Sequence, residues 1–245
     1  MAKKIKKWNP TCKRFVAFLD IMGFRDMVFR ESHTYVKKIL TSFYPAVEAI
    51  EWAYGIKVKD RKVKTNTKPI IFSDSIILVS RDNSVDSIFD IIVDVGWVIS
   101  NAVIEKIPMK GAIAYGEQTA DFKKSLHFGR PLIDAYELQD ELLFYGVVLH
   151  HTMEKQLIVK RVLEKYVNNL LVKYPVPMKS GKINHYALDW ISDTLNEEKV
   201  IKALPEFSCL VSGSPRQYVD NTLDFVRWIT EKKAELKQKK ETSKS

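Results

Sequence analysis

The sequence predicts a mixed fold, α+β or α/β, in which helices pack over a sheet. Three observations carry this. Strand-type apolar runs alternate with stretches of helical periodicity, in the order strand, helices, hairpin, helix, strand, helix, strand. Hydrophobic residues make up 46% of 245 positions, enough to bury a real core. Two of the strand-type runs each carry one aspartate, Asp20 in FVAFLDIMGF and Asp74 in PIIFSDSIILVS. Stability alone disfavours an unpaired carboxylate in such a place.

Phe15 to Ile21 reads as a buried strand, and Arg25 to Phe29 as a short helix. Tyr35 to Trp52 carries Val36, Ile39, Leu40, Phe43, Val47 and Ile50 at helical spacing, and Gly55 to Thr67 is a polar, basic connection. Pro69 to Ser80 forms a hairpin turning at Ser73-Asp74-Ser75, where small polar residues suit a tight turn. Ser84 to Glu105 is a helix with one broad apolar face. Met109 to Glu117 is a central strand whose Gly111 and Gly116 permit close backbone approach. Gly129 and Pro131 open a helix from about Leu132 to Leu143. Val147 to Met153 is a strand or a strand-to-helix passage, Arg161 to Lys173 a helix and Tyr186 to Trp190 a short strand. Pro205 to Pro215 is read as a loop, followed by a helix from Arg216 to about Lys237. The organisation expected is a single domain over residues 1–230, its motif-bearing core at about 12–145, with a charged, disordered tail over 231–245.

Composition narrows the function classes. Two cysteines, Cys12 and Cys209, with no CxxC, support neither a disulfide framework nor a structural zinc site. No stretch reads as a membrane span or a secretory leader, so a cytoplasmic location is expected. The net charge of +9 favours polyanions, but much of the excess sits in Lys3 to Lys7, Lys57 to Lys68 and Lys232 to Lys244. Lysine-rich ends of this kind are commonly solvated extensions, and no stable nucleic-acid or membrane binding is expected.

Asp20 and Asp74, 54 positions apart on neighbouring strands, have the chemistry to share one or two Mg²⁺ or Mn²⁺ ions, which take hard oxygen ligands and leave positions for water and phosphates. Aspartate is also favoured at helix starts and in turns, so the pair alone decides nothing. The residues from Ile21 to Phe24 lie where a strand gives way to a helix, so their amides could receive a polyphosphate, with Gly23 allowing the approach.

In order and spacing, FLDIMGF, FSDSIIL, MKGAIAYGE and FGRPLIDAYEL resemble the catalytic domain of class III nucleotidyl cyclases, over roughly Phe15 to Leu143. Within that family the chain is most similar to the compact bacterial pyrimidine cyclases of the Pycsar antiphage system. The resemblance implies a ferredoxin-like α+β core, a mostly antiparallel sheet with helices packed over it, acting as a head-to-tail homodimer with interfacial active sites. It implies two metal ions, Mn²⁺ or Mg²⁺, on Asp20, Asp74 and the carbonyl of Ile21, with a nucleoside triphosphate seated on Ile21, Gly23 and Phe24. It also implies a product read by a separate cyclic-nucleotide-responsive effector.

The departures from the pattern shape the specificity expected. The purine-selecting lysine or glutamate position is Ile70, and the second selector falls near Leu126, so neither adenine nor guanine is read in the familiar way. A pyrimidine base is compatible, with UTP favoured over CTP; loss of base reading is also compatible. The transition-state asparagine and arginine positions hold Ile133 and Glu137. Another cation must then meet the developing charge. Arg130 is the nearest in the motif, Lys68 and Lys110 lie on adjacent strands, and Tyr136 is the aromatic residue placed to contact the base. The competing reading is a catalytically silent cyclase-like module that binds a nucleotide or a partner. His150-His151 with Glu154 suggests a metal cluster, but successive side chains of a strand face opposite ways.

Overall fold

The computed structural model describes residues 8–42, 67–162, 170–191, 197–209 and 211–242. Among the described residues eight strands form one sheet: β1 (Thr11–Ile21), β2 (Thr67–Phe72), β3 (Ser75–Ser80), β4 (Met109–Asp121), β5 (Leu126–Gly129), β6 (Val147–Leu149), β7 (Leu171–Met178) and β8 (Gly181–Leu188). The order across the sheet is β2-β3-β1-β4-β6-β8-β7, with β5 also paired to β4. Every pairing is antiparallel except β4 with β6. The helices are α1 (Phe24–Arg30), α2 (His33–Ser42), α3 (Val85–Ile104), α4 (Arg130–Asp140), α5 (His151–Val159), α6 (Glu197–Phe207) and α7 (Ser214–Thr242). The architecture is therefore α+β.

β1 is central because it is apolar on both faces: Phe15 to Leu19 are all buried. Phe15, Leu19 and Ile21 join the core that α3 fills with Ile88, Ile91, Ile92, Val95, Val98 and Ile99. Ser84 starts α3 as predicted, its side chain accepting the Ser87 amide hydrogen at 3.2 Å. Contrary to the sequence reading, α3 is long and apolar enough to cross a membrane; 61% of its apolar window is buried, and it serves as the core helix. Gly111 must be glycine because β1 passes so close: a Cβ there would lie 2.6 Å from the Phe18 carbonyl oxygen.

The opposite face is covered more sparsely. α4 lies along β4 in the reverse direction, its start against Gly116, where an added Cβ would meet Pro131 at 3.1 Å, and its end at Lys110. Beside α4, Ile70 and Ile77 remain half-buried and Phe72 is 78% exposed.

Several elements differ from the reading of the sequence. α2 ends its described length at Ser42, so the remainder of the expected helix to Trp52 and the connection after Gly55, up to residue 66, lie outside the described residues. β5 was not anticipated, and α4 begins and ends earlier than Leu132 and Leu143. Of the helix expected over Arg161 to Lys173, residues 163–169 are outside the described residues and Leu171 to Lys173 open β7. Pro175 and Pro177 disguised that strand; they are tolerated because β7 is the sheet edge, where a missing N–H breaks no central ladder. β8 starts at Gly181, before Tyr186, and α6, where the sequence suggested no helix, carries Pro205 in its last turn and runs to Phe207, into the span read as a loop. The expected disordered tail is helical as far as Thr242.

Candidate active site

The β2–β3 turn and the end of β1 meet at one point. Ser73 adopts a left-handed conformation (φ 56°), and the Asp74 carbonyl accepts the Ile21 amide hydrogen at 3.0 Å. Asp20 pairs in register with Ser75 on one side and with Lys110 on the other. The hairpin thus brings the two predicted carboxylates together. Burial first, and then the negative charge of Asp74, push the Asp20 carboxyl up to about 6, with Lys110 pulling it down and Asp140 adding to the rise. Two acids held this close create a deficit of positive charge that a divalent cation satisfies. Among the described residues no group of three or more His, Cys, Asp or Glu side chains is arranged to hold a metal. A two-carboxylate site still fits Mg²⁺ or Mn²⁺, since such ions keep places for water and phosphate oxygens.

Lys110 is the cation of this site. It is 5% exposed, and its ammonium donates to the carbonyls of Asp140 at 3.1 Å and Leu142 at 3.4 Å. Burial lowers its pKa, against the charges of Asp140 and Asp20. Lys179 reaches the same corner, pairing with the Asp140 carboxylate at 2.5 Å. A lone lysine opening the apolar run of β4 was the sequence signal for Lys110; Asp140 and Lys179 gave none, because they arrive from separate elements.

Fewer backbone amides between Ile21 and Phe24 are free than the sequence suggested. The Ile21 amide is spent on Asp74, and the Met22 amide donates to the Pro108 carbonyl at 2.9 Å. That leaves the amides of Gly23 and Phe24. Gly23 sits at φ 71°, a conformation that favours glycine, directly before α1.

No family model and no curated protein matches the chain. Solved structures do. The catalytic core of a rhodopsin-guanylyl cyclase with converted specificity, in complex with ATPαS, aligns with a TM-score of 0.52 at 14% identity, over 72% of this chain and 94% of that one. The guanylyl cyclase Cya2 gives 0.51 at 11% identity, over 76% and 96%. The dimeric guanylyl cyclase domain of the RhoGC fusion protein from the aquatic fungus Blastocladiella emersonii gives 0.50 at 13%, over 72% and 93%. The fold is that of class III cyclase catalytic domains.

Within this cyclase fold, Arg130 and Lys68 lie apart from Asp20 in the same chain, whereas Tyr136 lies near it. Arg130 starts α4 with its side chain 84% exposed, 3.5 Å from Asp134. It lines a cleft of about 810 Å³ with Tyr115, Glu117 and His151, at the other end of β4. From Lys110 to Gly116, where α4 begins, six residues of strand span about 20 Å. Lys68 is also distant: its ammonium lies 4.9 Å from the Trp8 ring centre and 4.7 Å from that of Phe122. Tyr136 is 53% exposed and packs edge-on against Phe18, two residues before Asp20, at 5.3 Å. Ile133 is 57% exposed and Glu137 is exposed, both on α4. Arg130 and these two follow an i, i+3, i+7 spacing and share one helix stripe.

Val147 to Met153 is a strand-to-helix passage, one of the two readings of the sequence, and the histidines fall on its helical side. They start α5, with ring centres 4.0 Å apart, and His150 Nδ1 bonds Thr152 Oγ1 at 2.9 Å. Tyr145 belongs to the core, 4% exposed, and burial pushes its hydroxyl up to about 12.

The raised Asp20 pKa has a consequence for stability. The folded state holds this proton more tightly than the unfolded chain, whose carboxyl titrates near 3.8. The contribution is fully present below pH 3.8 and is lost as the pH rises through 6. Metal-free protein at pH 7.5 therefore carries an unfavourable charge, and Asp20→Asn removes it. After discounting for solvent screening, about 1 kcal/mol is expected, a rise in Tm of about 2–4 °C in chelator at pH 7.5 that disappears at pH 4. An unchanged or lower Tm at pH 7.5 would rule out the electrostatic account.

Proposed function

We propose that the protein is a metal-dependent nucleotidyl cyclase that converts a pyrimidine nucleoside triphosphate, UTP before CTP, to its 3′,5′-cyclic monophosphate. The observation that carries this is the meeting of Asp20 and Asp74 at the β1 end, beside Lys110 and the glycine-led start of α1, on a class III cyclase fold. Asp20, Asp74 and the Ile21 carbonyl are the groups to hold Mg²⁺ or Mn²⁺, two ions per site. When bound there, the metal supplies positive charge for the phosphates and lowers the pKa of the 3′-hydroxyl. The amides of Gly23 and Phe24 receive the β- and γ-phosphates, and Lys110 adds charge from the neighbouring strand. The 3′-hydroxyl gives its proton to water, its oxygen forms a bond to the α-phosphorus, the bond from that phosphorus to the bridging oxygen breaks, and pyrophosphate leaves.

Arg130 supplies the transition-state cation from a second copy of the chain, since its own Asp20 is too far along β4 to share a phosphate with it. The apolar surface beside α4, formed by Ile70, Ile77, Phe72 and Ile133, suits a symmetric partner, which makes the homodimer the working unit. Apolar residues at Ile70 and Leu126 favour a base that is read by contact and size, with Tyr136 against its ring. Signalling to a separate effector in antiphage defence, in the cytoplasm, is the role that accords with such a product.

Incubating the purified protein with each of the four ribonucleoside triphosphates and Mn²⁺ tests the reading. Cyclic UMP, or cyclic CMP, is the expected product; none from any triphosphate would overturn it. The second reading, a silent nucleotide-binding module, is favoured by Ile133 and Glu137. It predicts Mn²⁺-dependent triphosphate binding with no turnover in the same assay.

A further inference from the structure

Asp20 and Lys110 are directly opposed across an antiparallel pair, where opposite charges stand close enough to join. Among the described residues Lys110 nevertheless makes no ion pair. Its ammonium is drawn to the carbonyls of Asp140 and Leu142 at the end of α4, over the Tyr218 ring at 5.8 Å from its centre. An ammonium held on backbone oxygens leaves the Asp20 carboxylate open.

Those carbonyls belong to a turn, residues 140–146, that the C-terminal helix holds. The Asn221 side chain donates to the Leu143 carbonyl at 2.8 Å. The buried Thr222 hydroxyl accepts the Tyr145 amide hydrogen at 2.8 Å while donating to the Tyr218 carbonyl at 2.6 Å. Tyr145 stacks on Tyr218 with ring centres 6.2 Å apart. From the other side the β7–β8 hairpin contributes two backbone bonds, Leu143 to Pro177 and Lys179 to Glu141, both at 2.9 Å.

We propose that α7 is a working part of the metal site: Asn221 and Thr222 are positioning residues that hold the 140–146 turn so that Lys110 is kept off Asp20, leaving this carboxylate free for a divalent cation. This rests on the proposal that Asp20 binds metal. When the turn loosens, Lys110 falls onto its cross-strand neighbour and competes with the cation. α7 is then a control point, because anything that lifts it from the turn closes the site.

The experiment measures Mn²⁺ binding to the full chain by calorimetry at pH 7.5. Asn221→Ala/Thr222→Val is expected to weaken binding about tenfold, as removal of a ligand's supporting shell does. Asn221→Ala, at a half-buried position, serves as the milder variant should the pair fail to fold. Thr222→Ser restores wild-type affinity. In a Lys110→Met background the same substitutions leave the affinity unchanged, an outcome that a merely structural role for α7 does not produce. Unchanged affinity in the wild-type background, or equal weakening with and without Lys110, overturns the proposal while the metal reading stands. Wild-type affinity in Asp20→Asn overturns both.

Discussion

Asp20→Asn is expected to reduce cyclic nucleotide formation by about 10²–10³-fold at pH 7.5 with saturating Mn²⁺, and Asp74→Asn by a similar factor. The magnitude is that of removing one preorganised charge from a phosphate-transfer site. Amide for carboxylate keeps the shape and the strand register while taking away the charge that the cation needs. The measurement is product formed per minute beside the thermal stability of the same preparation. The two should move in opposite directions for Asp20→Asn: activity falls while metal-free stability rises, because the carboxylate that burial and Asp74 hold at about 6 is the group removed. Loss of both together would mean that the substitution disrupts the fold, and retained activity would remove Asp20 from the mechanism.

The second large effect is a recovery. Arg130→Ala alone should lose activity about as severely as Asp20→Asn, because the cation proposed to face the transition state is gone. Co-expressed one to one, the two inactive chains should regain about a quarter of wild-type activity. Half of the dimers are mixed, and one of the two sites in each carries neither change. The expectation follows from distance: α4 begins at Gly116 and ends at Lys110, so Arg130 and Asp20 of one chain sit at opposite ends of a strand segment about 20 Å long. Were both residues used within one chain, the mixture would contain no intact site and would stay inactive.

The local patterns were legible without the structure wherever one signal dominated. The broad apolar face between Ser84 and Glu105 announced α3, and two serines around Asp74 announced the turn between β2 and β3. Competing signals hid other elements. Two prolines concealed β7, Pro205 concealed α6, which continues through it to Phe207, and the lysines after Trp228 concealed the length of α7, whose far end is charged. Edge position resolves the first case, because proline costs little where no neighbouring strand needs its N–H.

The amino-acid sequence by itself determined the chemistry of the proposed site: an acid in an apolar strand, an acid in a hairpin turn, a glycine after the first and a lysine in β4. Tertiary structure alone decided how those groups relate. The β1–β3 register puts Asp74 beside Asp20, and the β1–β4 register puts Lys110 opposite it. The Asp74 and Pro108 carbonyls take two of the four amides that looked free for phosphate. The turn under α7 draws the ammonium of Lys110 away from the carboxylate it faces. The physical reason is common to all three. Local propensity acts over a few residues, whereas hydrogen-bond partners and the electrostatic surroundings of a charge come from segments tens to more than a hundred positions away.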